Sequence, residues 1–181
     1  GYQTKSPAYV MTSIGQYNVA SGDVWGWIAT DPLFVIGNGT ADTSRSNALT
    51  ILKSGFAAFG TTTTTYPILV GTNTSNGNGA HLTAGGVWTN GSSRTFKEDF
   101  RTLDKKVVLD KVVNLEIVNW KYKNTNERGI SPFAEDFYAS FGLGDGNDKY
   151  VSAQNLAGVA LVAIQEQQNE IEILQSHWTH S

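Results

Sequence analysis

Asn90-Gly91-Ser92-Ser93-Arg94-Thr95-Phe96-Lys97-Glu98 is where a bland chain becomes a charged one. Residues 1–91 carry only Lys5, Arg45 and Lys53 against Asp23, Asp31 and Asp42. The chain has 13 basic and 16 acidic side chains, and all the others lie in residues 92–181. This break predicts two domains, 1–91 and 92–181, with a Gly-Ser turn and a candidate nucleophile, Ser92, on the seam between them. Lys97 follows Ser92 by five positions. That spacing puts the two side chains on opposite faces of a strand, or about 140° apart on a helix. For the hydroxyl and the amine to meet, the backbone has to turn between them.

Working outward, the upstream part reads as β-rich. Leu33-Phe34-Val35-Ile36 runs into Gly37-Asn38-Gly39, a turn signal. Ala48 to Lys53, Phe56 to Phe59, Pro67 to Val70 and Thr83 to Thr89 are further short apolar runs bounded by Gly, Ser and Asn, as strands at turn-limited spacing require. No helix is predicted before residue 92. These runs are few for so long a stretch, so a self-sufficient monomeric core is thin, and glycine-rich strands hold register poorly alone. Trp25 and Trp27 alternate, which on a strand puts them on one face. They could pack in an intertwined core or form an aromatic platform for a sugar ring, with Asp23 and Asp31 nearby as hydroxyl acceptors.

Downstream the pattern turns helical. Asp104 is a candidate N-cap for a helix through Val113, with Val108, Leu109, Val112 and Val113 as its apolar stripe. Val118, Trp120 and Tyr122 alternate with Asn119, Lys121 and Lys123, a half-buried strand. Ser131-Pro132 predicts an N-cap followed by proline at the first helical position, opening a helix from Phe133 to Phe141 that stops at Gly142. The last and longest helix is predicted over about residues 152–176. Along it Ala160, Ile164, Gln167, Ile171 and Leu174 step by 4-3-4-3, the seam of a short coiled coil, and a polar Gln167 on a seam fixes register and strand number. The fold class expected is α+β.

Composition narrows the function. A net charge of −3 leaves no electrostatic footprint for nucleic acid. No apolar run approaches the ~18 residues of a membrane span, so no membrane insertion is expected. The start at Gly1 reads as a piece cut from a longer chain. With no cysteine there are no disulfides or thiolate metal sites. His81, His177 and His180 are too scattered for a triad or a metal site, and Asp145-Gly146-Asn147-Asp148 lacks the spaced ligands and closing glutamate of a calcium loop. Gly142-Leu143-Gly144 follows a helix rather than opening one, which argues against phosphate binding. No metal or cofactor is expected.

Four blocks, in order, carry a family resemblance. Trp88 to Phe100 resembles the opening of the endosialidase-type intramolecular chaperone domain, whose usual opening is Ser-Asp-x-x-x-Lys-Glu-Asn. The helix at Val107–Val113 with the Trp120-Lys121-Tyr122-Lys123 strand comes next. Ser131-Pro132-Phe133-Ala134-Glu135-Asp136-Phe137-Tyr138 is similar to the family's Gly-Pro-x-Ala-Gln-Asp-Phe-Tyr segment, and Gly158 to Gln165 to its closing helix. Asp31 to Lys53 is similar to segments that often precede the domain in bacterial fibre proteins. The family favours Asp, sometimes Asn, after the serine, where this chain has Ser93.

The resemblance implies a homotrimer. Residues 92–181 would be the trimerising chaperone, ending in a three-stranded coiled coil, and residues 1–91 the intertwined shaft or tip of a phage tail spike, tail fibre or bacterial surface fibre, hence extracellular. It also implies Ser92 as nucleophile and Lys97 as base, cutting Gly91–Ser92 once, with no external substrate. Some members keep the fold without cutting, and the tip would then be an adhesin binding a cell-surface glycan or other receptor. A lysine can act as base only when neutral, which requires its ordinary value near 10.4 to fall by roughly two units through burial.

Overall fold

The computed structural model describes residues 1–72 and 77–178. The chain forms two compact units, Gly1–Phe100 and Arg101–Ser181, so the stretch from Ser92 to Phe100 packs with the β-rich part. The architecture is α+β: a β-rich N-terminal region and a C-terminal region ending in a long helix.

Among the described residues of the first unit, seven strands form one sheet in sequence order: β1 (Thr12–Gln16), β2 (Pro32–Asn38), β3 (Asn47–Leu52), β4 (Ala57–Phe59), β5 (Ile68–Val70), β6 (Ala80–Leu82) and β7 (Trp88–Thr89). The β1–β2 and β4–β5 pairs are parallel and the other four antiparallel. Among the described residues the buried apolar side chains of this unit are Ala8, Pro32, Val35, Leu52, Ala58 and Ala80. Polar groups fill the rest of its interior. Asn18 bonds the Lys5 amide at 2.8 Å and the Lys5 carbonyl at 2.9 Å. Asn47 accepts from Val19 at 2.8 Å and donates to Thr50 Oγ1 at 3.0 Å, and Thr50 in turn donates to the Thr61 carbonyl. Buried polar groups satisfied in this way specify geometry while adding little net stability.

Several expectations are corrected here. β1 lies in a segment predicted as no element. The turn signal at Gly37-Asn38-Gly39 does not end β2, which runs to Asn38 and turns later, where Ala41 bridges Ser44. The expected strand from Thr83 to Thr89 is broken by a turn at Gly85-Gly86, with Gly86 at φ +80°, leaving only Trp88–Thr89 as β7. Trp25 and Trp27 lie on an irregular loop rather than a strand. The Asp23 carboxylate accepts from the Trp25 and Gly26 amides at 2.7 and 3.0 Å, and this side-chain turn competes successfully with extension.

In the second unit α1 (Lys105–Asn114) starts where the sequence predicts, with Asp104 Oδ1 accepting from the Val107 amide at 3.1 Å. Leu109 of its stripe is buried, while Val113 is exposed. β8 (Val118–Lys121) pairs antiparallel with β9 (Arg128–Ser131). α2 (Ala134–Phe141) buries Phe137 against Phe141, ring centroids 4.9 Å apart, and ends at Gly142 in the left-handed conformation. Ser131 is not its cap. That hydroxyl is committed to β9, where it accepts from the Trp120 indole at 2.8 Å and donates to the Pro132 carbonyl at 2.9 Å. Phe133 takes the N-cap position without a side-chain bond, and Glu135 and Asp136 supply the negative charge of the first turn.

α3 (Ala153–Trp178) packs against α1. Its Ala163 is buried and Val159 and Val162 are half-buried. Lys106 on α1 joins Glu170 on α3 at 2.8 Å and Asp110 at 3.2 Å, which together hold its ammonium above its ordinary value. Ala160, Ile164, Gln167, Ile171 and Leu174 lie elsewhere on α3, all exposed in the single chain.

Candidate functional site

β6 and β7 deliver the chain to the seam. Past β7, the Trp88 indole donates to Asn90 Oδ1 at 3.0 Å, and Gly91 passes close to the turn that precedes β6. Ser93 is extended, at φ −60° and ψ 149°, and caps a short 3-10 turn at Arg94–Phe96. Its Oγ accepts from the Thr95 amide at 3.2 Å, and its carbonyl accepts from the Phe96 amide at 3.1 Å. The Lys97 amide closes the turn onto the Arg94 carbonyl at 3.3 Å. This tight turn, with extended residues on either side, breaks the regular geometry that would hold the two side chains apart between 92 and 97. Lys97 Nζ consequently donates to Ser92 Oγ at 2.7 Å. The required turn lies at residues 94–96, immediately after Ser93.

Asp, Asn and Ser are comparable as caps, because each offers an oxygen to an amide two or three residues on. Ser93 fills that role here. Both Ser92 and Lys97 are exposed in the single chain. As an ammonium, Lys97 donates to the hydroxyl; it must lose a proton before it can accept one from Ser92.

Beside Gly91 is a cavity of about 400 Å³, bordered by Phe96, Tyr66 and His81. His81 stacks on Tyr66 with ring centroids 3.7 Å apart, and its Nδ1 lies 2.9 Å from the Gly79 carbonyl. His177 is at the far end of α3, and His180 lies outside the described residues. Among the described residues no three His, Asp or Glu side chains gather as a metal site. Asp145 and Asn147 accept from the backbone amides of Asn147 and Lys149, as turn residues.

Trp25 is 89% exposed and Trp27 58%. Their loop is fixed from beneath by a feature that composition does not signal, the buried Lys53. Its ammonium lies 3.8 Å from Asp31, 3.4 Å from the Gly26 carbonyl and 5.5 Å from the Trp27 ring centroid. Asp31 also accepts from the Asp23 amide at 2.8 Å.

A comparison with known families matches residues 92–142 to the family described as the chaperone of endosialidase. The matched stretch opens on Ser92 and closes on Gly142, the residue that ends α2. It supports the endosialidase-type intramolecular chaperone family for this part of the chain. Residues 31–53 and 158–165 lie outside the match. No curated protein and no solved structure matches the chain. No helix among the described residues is long and apolar enough to cross a membrane.

Proposed function

We propose that the chain is the C-terminal part of a homotrimeric fibre whose last domain is an intramolecular chaperone. Residues 92–181 bring three chains together and align them, and residues 1–91 then fold as an intertwined shaft or tip. Interchain strand pairing is slow, because closure entropy precedes the contacts that reward it. Helices form locally and fast, and once three associate through Ala160, Ile164, Gln167, Ile171 and Leu174, the upstream strands meet at high effective concentration. The exposure of all five residues on α3 and the sparse core of the first unit support this reading. The setting is extracellular, on a phage tail or a bacterial surface.

The chemistry proposed at the seam is a single self-cleavage, and the 2.7 Å approach of Lys97 Nζ to Ser92 Oγ is the observation that carries it. Neutral Lys97 takes the hydroxyl proton as Ser92 Oγ forms a bond to the Gly91 carbonyl carbon. The Gly91–Ser92 C–N bond breaks, and the same proton passes from Lys97 to the leaving amine. Water then adds to the resulting ester, releasing the Gly91 carboxylate and restoring the Ser92 hydroxyl. Burial of Lys97 by neighbouring chains would favour the neutral amine and tie the cut to assembly. Removing the chaperone leaves a shaft with a kinetic form of stability. The test is intact mass over time: two fragments of near-equal mass should appear, faster as pH rises, and Ser92→Ala or Lys97→Ala should each abolish them. Wild-type protein that stays whole as an assembled trimer for weeks would remove the cleavage.

A second reading, favoured by the braced Trp25–Trp27 loop, retains the chaperone uncut beneath an adhesin tip that binds a glycan or other surface receptor. An exposed Trp held in place by Asp23, Asp31 and Lys53 loses little freedom on binding a sugar ring. Glycan-array binding by the intact protein, lost in Trp25→Ala, tests it.

A further inference from the structure

The residue ahead of the proposed cut is gripped by the upstream sheet. The Cα of Gly91 lies against the backbone carbonyl of Asn78, in the Gly77–Ala80 turn that leads into β6, and the ring edge of Phe96 closes on it from another side. A Cβ built on Gly91 overlaps the Asn78 oxygen outright and meets Phe96 Cε2 and Cδ2 at 3.1 and 3.2 Å. The ring can rotate away. The carbonyl cannot, because Asn78 sits inside a closed turn in which the Ala80 amide donates to Gly77 at 2.8 Å. Asn78 itself holds φ at +46°, a left-handed conformation that asparagine tolerates and β-branched residues resist.

We propose that this slot is a folding checkpoint on the cut: the Gly77–Ala80 turn must be formed for Gly91 to be held, and only glycine fits. The inference rests on the reading of Ser92 as nucleophile and adds to it a regulator located in the substrate segment itself. Ser92 Oγ attacks the carbonyl of the adjoining residue, so the orientation of the Gly91–Ser92 peptide plane decides whether the two atoms can meet. The slot fixes that plane on its upstream side, while the 94–96 turn fixes the hydroxyl and the amine on its downstream side. An unformed sheet leaves Ser92 and Lys97 together but the carbonyl unplaced. Phe96 belongs to both halves, since it ends the 3-10 turn and walls the slot. Gly91, Asn78 and Phe96 are therefore positioning residues and take no part in proton transfer.

The experiment compares cleavage in the full-length protein by intact mass, with oligomeric state and melting temperature recorded for each variant. Gly91→Ala should cut about 100-fold more slowly, the scale on which a misplacement of about an ångström acts, while assembling as the wild type does. Asn78→Gly should cut at least ten-fold faster than Asn78→Val, because only the former keeps the turn's left-handed residue. Gly91→Ala cutting at the wild-type rate while Ser92→Ala does not cut would overturn the checkpoint and leave the nucleophile standing. Should Gly91→Ala fail to fold, Phe96→Ala opens one wall of the slot and should slow the cut; an unchanged rate there also counts against it. A wild type that never cuts removes the nucleophile reading, and hydrogen exchange in the Ser92→Ala protein then judges the slot. Protection of residues 77–82 that is lost when Gly91→Ala is added supports it, and unchanged exchange overturns it.

Discussion

Ser93→Ala is the most informative perturbation of the proposed cleavage, because it touches neither reacting group. Ser93 Oγ accepts the Thr95 amide at 3.2 Å and lies 2.9 Å from Thr95 Oγ1, so alanine removes the cap and leaves an amide to water. A helix cap of this kind is worth about 1 kcal/mol, and about 0.5 kcal/mol at the low end of the range, which suits an exposed turn of three residues. At about 1.4 kcal/mol per decade, the population holding Lys97 on Ser92 falls roughly two- to five-fold. Cleavage should slow by that factor, whereas loss of Ser92 or Lys97 should stop it. Ser93→Asn should restore the rate, since an amide oxygen caps as well as a hydroxyl, and the pH dependence of the cut should keep its shape throughout. The assay is the fraction cut over time by intact mass, at several pH values. Ser93→Ala at the full wild-type rate, or Ser93→Asn no faster than alanine, would show that the cap does not position the pair.

Three further outcomes follow from the second unit. Ile164→Asp should abolish assembly while leaving helix content by circular dichroism unchanged, because Ile164 is 59% exposed in the single chain and surface changes there cost within about 0.5 kcal/mol; an unchanged oligomer would show that the seam lies elsewhere. Phe137→Ala removes a side chain that is 1% exposed and should cost about 3–5 kcal/mol, most of what a unit of this size has, read as a lowered denaturant midpoint; a shift below about 1 kcal/mol would contradict the packing. The Glu135–Lys149 pair, at 2.9 Å, holds the Glu135 carboxyl below 4.5 and the Lys149 ammonium above 10.5. Its contribution is present between those ordinary values, lost as pH falls through the lowered carboxyl value and lost as it rises through the raised ammonium value. The melting-temperature difference between wild type and Lys149→Gln should therefore be level near neutrality and vanish in acid; a difference that grows in acid would reverse the assignment.

What could be read from the sequence was what local chemistry dictates. Asp104 announced α1, Gly142 ended α2, and a long helix formed where the last apolar period predicted one. Ser92 and Lys97 were singled out by the blocks that follow them; a spacing of five by itself keeps the two side chains apart, and the contact at 2.7 Å comes from the turn between them. β1 was not, because Thr12-Ser13-Ile14-Gly15-Gln16 offers a single apolar residue and owes its extended form to pairing with β2. Alternation at Trp25 and Trp27 mimicked a strand, yet the Asp23 side chain satisfied the amides that a strand would have exposed to pairing. Ser131-Pro132 carried a helix-start signal that the Trp120 indole, eleven residues away in sequence, redirected to β9. The slot at Gly91 was not legible from residue types, because its contact at position 78 is a backbone carbonyl and an asparagine there reads only as one more turn residue. Gly91 itself, in a Gly-Ser turn, likewise reads first as a turn residue.

Everything proposed for the chain depends on three copies acting as one. Native mass spectrometry of freshly purified protein measures that directly. The account predicts an assembly of three times the 19.6 kDa chain mass, which persists as fragments parted at Gly91–Ser92 accumulate within it. A folded species at the mass of one chain, stable across concentration, would contradict it.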